Sequence, residues 1–364
     1  MGIFGMAIPR VLIDGYFYGK PYGFGRYIKE LCRALERAPS DVEIAVAVPS
    51  SVELPGGYRH LTWRRLPKAN FIFWEQIMIP MLARRLSADV IHFPYNTRAI
   101  YTFGARTVTT VHDLLFLGRS PDLGNVKDYI FKQYTRFVFK HLTRRSSALV
   151  SVSETTHSSL MGLGLQSRTV YNTVDGFLAE TSPVCRKAAE RPYFLHRGGY
   201  QAHRNTARVI EAFRGERSAL SGIDLKIIGA PLGADTWNTR GDPSIQFLPR
   251  VSDRELAALY AGSIGMIAAS LQEGFGLPIV EGFGFAVPVI TSQADPMMEI
   301  AGDAALLVDP LSVIEIGKAM RTIALDRDFA RSLVERGRVR LARFSSTQVA
   351  AQMLEIYRAC SGSQ

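Results

Sequence analysis

Short apolar, β-branched runs alternate with longer amphipathic stretches along most of the chain. In the first half the runs fall at 11–14, 44–48, 90–93, 106–111, 148–152 and 169–171, each followed by a turn or a stretch of helical spacing. The pattern restarts after Arg191-Pro192, with runs at 193–196, 225–228, 245–248, 265–269, 287–291 and 305–308. Strand followed by crossover helix is the signature of a parallel, doubly wound sheet, and the restart predicts two such α/β units in tandem. Ser182-Pro183, several charges and Pro192 interrupt both periodicities, so the linker is expected within 181–192. The predicted domains are therefore 1–185 and 190–344, with a last helix near 345–364 that packs back on the first domain. Two such domains facing each other place the carboxyl ends of both sheets at a central cleft, where α/β proteins bind ligands.

Composition narrows the class. The chain has 364 residues, 47% hydrophobic and 21% charged, which excludes disordered, collagen-like and coiled-coil proteins. No apolar run approaches the roughly 18 residues of a membrane span, and no basic segment leads into a long apolar one near Met1, so the expected location is the cytosol. Cys32, Cys185 and Cys360 are too far apart for a Cys-x-x-Cys pair and read as reduced thiols. The seven histidines show no ligand spacing, and no metal is expected. The net charge of +10 is uneven: residues 1–185 hold 22 basic and 14 acidic side chains, residues 186–364 hold 21 and 19. A basic half suits nucleic acid, an anionic membrane or a phosphorylated ligand, and charge alone does not choose.

The segment Glu273-Gly-Phe-Gly-Leu-Pro-Ile-Val-Glu281 follows the 265–269 strand. Strand, glycine turn and helix in that order expose unpaired backbone N–H groups at a helix start, which favour an anion. Gly274 and Gly276 let a phosphate approach the main chain, and Pro278 suits a first helical turn. Two carboxylates eight positions apart then flank one ligand from opposite ends.

On these residues, with Pro288-Val289-Ile290, Glu299, Gly302-Asp303-Ala304-Ala305 and Asp309-Pro310 after them, the chain resembles the retaining glycosyltransferases of the glycosyltransferase 4 type. The resemblance implies the GT-B fold, two Rossmann-like domains facing a central cleft. It also implies that Glu273 contacts the donor sugar, that Gly274, Phe275, Gly276 and Leu277 touch sugar and diphosphate through their backbone, and that Glu281 holds the ribose hydroxyls. Gly198-Gly-Tyr-Gln-Ala-His-Arg-Asn205 is similar to a second family loop, with Arg204 in a position usually held by lysine. A guanidinium bridges two phosphate oxygens, so Arg204 takes that task. The family's other cationic contact falls at Gly199 or a neighbour; Arg197 is the alternative for it and is not assigned that role. Gly198, Asn205 and Val251 join the implied donor set.

In the first half, Gly23-Phe24-Gly25-Arg26-Tyr27 is similar to the family loop that reaches the donor phosphates and acceptor, which implicates Gly23 and Gly25. A dinucleotide fingerprint is excluded because position 28 is Ile. His112, directly after the 106–111 strand, takes the family's place beside the reacting sugar. The 151–154 and 172–175 strand ends are read as scaffold. Asp326-Arg-Asp328 spells a metal-binding Asp-x-Asp but is expected on a solvated helix face. Lys132, Arg136, Lys140 and Arg144 recur every four residues beside an apolar face, a pattern that fits peripheral contact with anionic lipid.

The expected function is transfer of a hexose, mannose first among the candidates, from a nucleotide diphosphate sugar to a glycan or lipid-linked acceptor. No cofactor and no nucleic acid are expected. Two alternatives stand beside it: an inactive GT-B binding subunit and a nucleotide-sugar epimerase.

Overall fold

The structure, a computed structural model, describes residues 8–362 apart from 21–22, 40, 55, 119–125, 183–190, 199–201 and 230–240. Strands β1 (Arg10–Asp14), β2 (Glu43–Pro49), β3 (Leu61–Leu66), β4 (Val90–Phe93), β5 (Arg106–Val111), β6 (Ala148–Ser151) and β7 (Arg168–Thr169) form one sheet in the order β3-β2-β1-β4-β5-β6-β7. Strands β8 (Tyr193–Arg197), β9 (Asp224–Ile228), β10 (Ile245–Leu248), β11 (Gly265–Ala268), β12 (Val289–Ser292) and β13 (Leu306–Val308) form a second, in the order β10-β9-β8-β11-β12-β13. Every strand pair is parallel.

Parallel strands are covered on both faces, which is why their sequences read as continuous apolar runs. Leu12, Ile13, Val90, Ile91, Leu195, Met266, Ile267 and Ile290 are completely buried. The strand at 61–66 escapes the sequence pattern because it is a sheet edge: Arg64 and Arg65 are exposed and only Leu61 is buried. Charged side chains of this kind protect an edge from further pairing.

The chain divides into two compact units, Met1–Thr173 with Ser346–Gln364, and Val174–Ser345. The Asp175–Thr181 helix belongs to the second, where Phe177 meets Phe285 edge-on at 5.4 Å. The expected linker falls largely on 183–190, outside the described residues, as does Cys185; Cys32 and Cys360 are buried thiols. The Ser346–Ser361 helix packs against the Gly23–Arg37 helix of the first unit. There Tyr357 Oη lies 2.7 Å from His92 Nδ1, and His92 Nε2 lies 2.8 Å from Thr110 Oγ1.

Each sheet has one point where strand order reverses, between β1 and β4 in the first and between β8 and β11 in the second. Connections on the two sides of such a point leave on opposite faces, which opens a crevice at the carboxyl ends of the strands. Asp14 and Phe93 end the strands at the first point, Arg197 and Ala268 at the second.

The Asp-x-Asp sequence straddles a helix start, with Asp328 exposed in the first turn of the Arg327–Leu341 helix as expected. Asp326 stands at the junction of two helices and caps the second, accepting a hydrogen bond from Phe329 N at 2.9 Å. Among the described residues, no helix is long and apolar enough to cross a membrane.

Candidate functional site

The switch point of the second unit gathers most of the implied donor residues. β8 delivers Arg197, and β11 leads into the glycine turn. Gly276 has φ +101° and is the N-cap of the Leu277–Gly284 helix, with no side-chain cap. A β-carbon at that φ is strained, so glycine is needed for the chain to turn this sharply. Pro278 lies in the first turn, where a missing N–H costs nothing. No side chain caps this helix start.

Two carboxylate–guanidinium pairs flank the turn. Arg204 Nη1 donates to Glu273 Oε1, which also accepts from Ser270 Oγ at 3.0 Å. Arg197 Nη1 donates to Glu281 Oε2, which also accepts from Tyr260 Oη at 2.8 Å. Glu281 is fully buried, whereas Arg197 is 30% exposed. The ion pair holds the Arg197 guanidinium firmly protonated against the cost of its burial. Among the described residues, Glu281 Oε1 is buried and has no hydrogen-bond partner. A carboxylate oxygen in that position is costly unless something donates to it.

Asn205 and Gly198 have structural reasons of their own. Asn205 sits in the left-handed region at φ +61°, and its Nδ2 donates to Ala269 O at 2.9 Å and Pro310 O at 2.6 Å. Leu271 N donates to His203 O at 2.7 Å. These bonds clamp the loop that carries Arg204 to the loop that carries Glu273. A β-carbon on Gly198 would stand 2.7 Å from Thr206 Oγ1 and 2.8 Å from Ile227 Cγ2, so packing alone demands glycine there. Phe275 turns inward and meets Phe344 edge-on at 5.7 Å. Val251 stands half-buried beyond β10, two strands from β8. Gly199, at the second expected cationic position, lies outside the described residues.

The first unit brings its implied residues together as well. The His112 ring is held edge-on by Phe24 at 4.9 Å and Tyr27 at 4.7 Å, both from the helix that opens at Gly23. His112 Nε2 lies 3.0 Å from Pro94 O, and a carbonyl only accepts, so the proton is on Nε2 and the Nδ1 lone pair is free to accept. Burial pushes the His112 pKa down to about 4, so the ring is neutral at pH 7. Its backbone N–H donates to Asn96 Oδ1 at 2.8 Å. A β-carbon on Gly25 would lie 1.9 Å from Lys20 O, which excludes any side chain, whereas Gly23 has open space around it.

Two buried acids beside this site have no sequence motif. Asp14, at the end of β1, accepts from Trp74 Nε1 at 2.7 Å, Tyr16 N at 3.0 Å and Tyr95 Oη, and burial raises its pKa to about 6. Glu75 lies in a π-helical turn, Trp74–Met78, and accepts from Thr97, Tyr134 and Gln76; burial raises its pKa to about 8. Such an insertion in a helical run leaves no periodic signal to read. Phe17, Phe24, Tyr95, Phe116 and Phe131 line a cavity of about 190 Å³ here, with Lys132 among its polar groups.

Known proteins resemble this chain in both units. The family described as Glycosyltransferase Family 4 matches residues 21–176, and that described as Glycosyl transferases group 1 matches residues 179–340. O-antigen chain mannosyltransferase B of Escherichia coli is 32% identical over 114 residues, which is 31% of this chain and 30% of the relative. The chain spans about half the length, or less, of the first curated relatives it matches. Among solved structures, sucrose-phosphate synthase from Thermosynechococcus elongatus superposes with a TM-score of 0.76 at 17% identity, over 98% of this chain and all of that one. Anabaena HepE in complex with UDP-glucose superposes with a TM-score of 0.65 at 17% identity, over 96% and 99%. With the two family matches covering successive halves and both sheets in doubly wound order, the chain belongs to the glycosyltransferase 4 type and has the GT-B two-domain fold.

Proposed function

We propose that the chain is a retaining glycosyltransferase that moves a hexose from a nucleotide diphosphate sugar to a glycan or lipid-linked acceptor, with mannose as the first candidate. The observation that carries this reading is the buried, unpartnered Oε1 of Glu281 beside an uncapped helix start. A ribose supplies the hydroxyl donors that this oxygen lacks, and the attached diphosphate then reaches the amides at Gly274–Leu277. Arg204 provides the fixed cation and Glu273 the acceptor for sugar hydroxyls. The choice of mannose rests on the mannosyltransferase relative.

In this reading the bond between the anomeric carbon and the β-phosphate oxygen breaks as the acceptor oxygen bonds to the same face of that carbon. The acceptor's proton passes to the departing β-phosphate, so no strongly basic side chain is required. Negative charge grows on the diphosphate and is met by Arg204 and the helix-start amides, an arrangement worth on the order of 10² to 10³ in rate per contact. The residues present supply that neutralisation themselves, so the proposed reaction is written without a metal or cofactor. Neutral His112 is assigned to the transferred sugar, where its Nδ1 accepts from a hydroxyl.

The test is incubation with GDP-, UDP- and dTDP-sugars, with and without a saccharide acceptor, followed by analysis of donor and product. Acceptor-dependent release of nucleoside diphosphate and a product of unchanged anomeric configuration support the reading. Conversion of the free donor to another sugar identifies an epimerase, no turnover with any donor identifies a binding subunit, and inversion overturns the proposed stereochemistry.

A further inference from the structure

The 71–85 run is apolar on both faces: Phe71, Trp74, Ile79 and Ala83 are buried, and further apolar side chains face out. The polar side chains Glu75 and Gln76 are taken up by the protein: Glu75 is completely buried, and Gln76 Nε2 donates to Tyr134 Oη at 2.6 Å and Arg98 O at 3.1 Å. Ile72, Phe73, Ile77 and Met81 stand outward, at 40%, 50%, 44% and 55% exposure. A solvated helix face is ordinarily polar, so this one is apolar for a reason other than the fold. The adjacent loop extends the surface. Ile100 N donates to Gln76 Oε1 at 2.8 Å, Tyr101 and Phe103 lie edge-to-face at 4.7 Å, and the Arg84 guanidinium sits 5.1 Å over the Phe103 ring.

The exposed charges on this run and just before it are basic. Lys68 precedes the run and Arg84 and Arg85 end it, all three exposed. Between positions 54 and 112 the carboxylates are Glu75, buried and held protonated at neutral pH, and Asp89, which accepts from Arg10 N at 2.8 Å. Two copies meeting on this face would bring the same uncompensated cations together, which disfavours a self-complementary dimer.

We infer that this face is an interfacial membrane anchor. Ile72, Phe73, Ile77, Met81, Tyr101 and Phe103 enter the boundary between headgroups and acyl chains, while Lys68, Arg84 and Arg85 pair with the phosphates of an anionic bilayer. The Val126–His141 helix, to which the sequence pattern pointed, also exposes Tyr129, Ile130, Phe137 and Lys140, but part of its basic stripe is engaged within the protein. Arg136 donates to Phe116 O at 2.6 Å and Gly118 O at 2.7 Å, Lys132 lines the aromatic cavity, and Arg144, just beyond the helix, donates to Leu163 O at 3.1 Å. The inference concerns the first unit alone and stands whether or not the donor-site reading holds.

Flotation of the full chain with phosphatidylcholine vesicles, with and without phosphatidylglycerol, tests it. Binding is expected only with the anionic lipid, weakening as salt rises, and the triple variant Phe73→Ser/Met81→Ser/Tyr101→Ser binds about tenfold more weakly or less. Arg84→Gln/Arg85→Gln gives an independent loss, while Lys140→Gln/Arg144→Gln binds as the parent does. No flotation of the parent, or equal flotation of the triple variant at an unchanged melting temperature, overturns the inference. A dimer in light scattering that the triple variant dissolves, without vesicle binding, assigns the face to a second copy and overturns it too.

Discussion

The carboxylate of Glu281 is completely buried, and the charge that holds it there is the Arg197 guanidinium, 84 positions earlier in the chain. One of its oxygens is used by Arg197 and Tyr260, and the other has no partner among the described residues. Removing one member of a buried pair strands the other, at a cost of about 3–5 kcal/mol. Glu281→Ala is therefore expected to lower the melting temperature of the free protein and to confound any binding measurement. Glu281→Gln keeps the shape and one acceptor oxygen while removing the charge, and is expected to weaken the thermal stabilisation by the best nucleotide, with a smaller loss of stability than Glu281→Ala. An unchanged nucleotide-induced shift in Glu281→Gln counts against the ribose assignment.

Arg204 is the second cation of this site, and its pairing with Glu273 places it rather than spends it. Both side chains keep some exposure, 25% and 13%, so a diphosphate has access to the guanidinium. Arg204→Ala is expected to lower kcat by on the order of 10² to 10³. Arg204→Lys recovers part of this, since the charge returns without the bidentate fork. Steady-state kinetics on both variants check the order; a lysine variant no better than alanine argues that Arg204 serves structure alone.

A neutral His112 has a pH signature. With its pKa near 4 it does not titrate between pH 5 and 8, so the activity profile should show no limb near the ordinary histidine value of about 6.5. His112→Ala is expected to lower kcat on the order of 10²-fold without moving the profile. A limb near 6.5 that disappears in His112→Ala would contradict the assignment of a neutral ring.

Stability carries a separate pH signature from Glu75. Its folded pKa of about 8 lies above the ordinary glutamate value of 4.5, so below pH 4.5 the side chain is protonated in both states and costs nothing. As the pH rises from 4.5 the unfolded chain ionises while the folded one does not, and stability is lost at up to about 1.4 kcal/mol per pH unit until pH 8. The buried histidines work in the opposite direction: His112 and His196, both near 4, lose stability as the pH falls from 6.5 toward 4. In Glu75→Gln the alkaline loss should disappear, so the melting temperature of the variant gains on the parent's between pH 5 and pH 8. Parallel pH curves for the two proteins would refute this.

Which parts could be read from the sequence follows from how local each cause is. The turn at Gly274–Pro278 is legible because left-handed φ at Gly276 and the tolerance of Pro278 in a first turn are properties of adjacent residues. The restart of the strand pattern is legible because parallel strands are apolar throughout. Arg197 was unassignable, since its role exists only through Glu281 and Tyr260, which the fold brings to it. Glu75 was hidden by the π turn, and β3 by the charges of an edge. Asn205 and Gly198 follow the family pattern, yet their contacts here are a loop clamp and a close packing point.

The most direct test is a crystal structure with a nucleoside diphosphate bound. The account predicts a ribose hydroxyl within hydrogen-bonding distance of Glu281 Oε1, with the diphosphate against the amides preceding Pro278 and the Arg204 guanidinium. A nucleotide bound elsewhere, with Glu281 Oε1 still unpartnered, would contradict it.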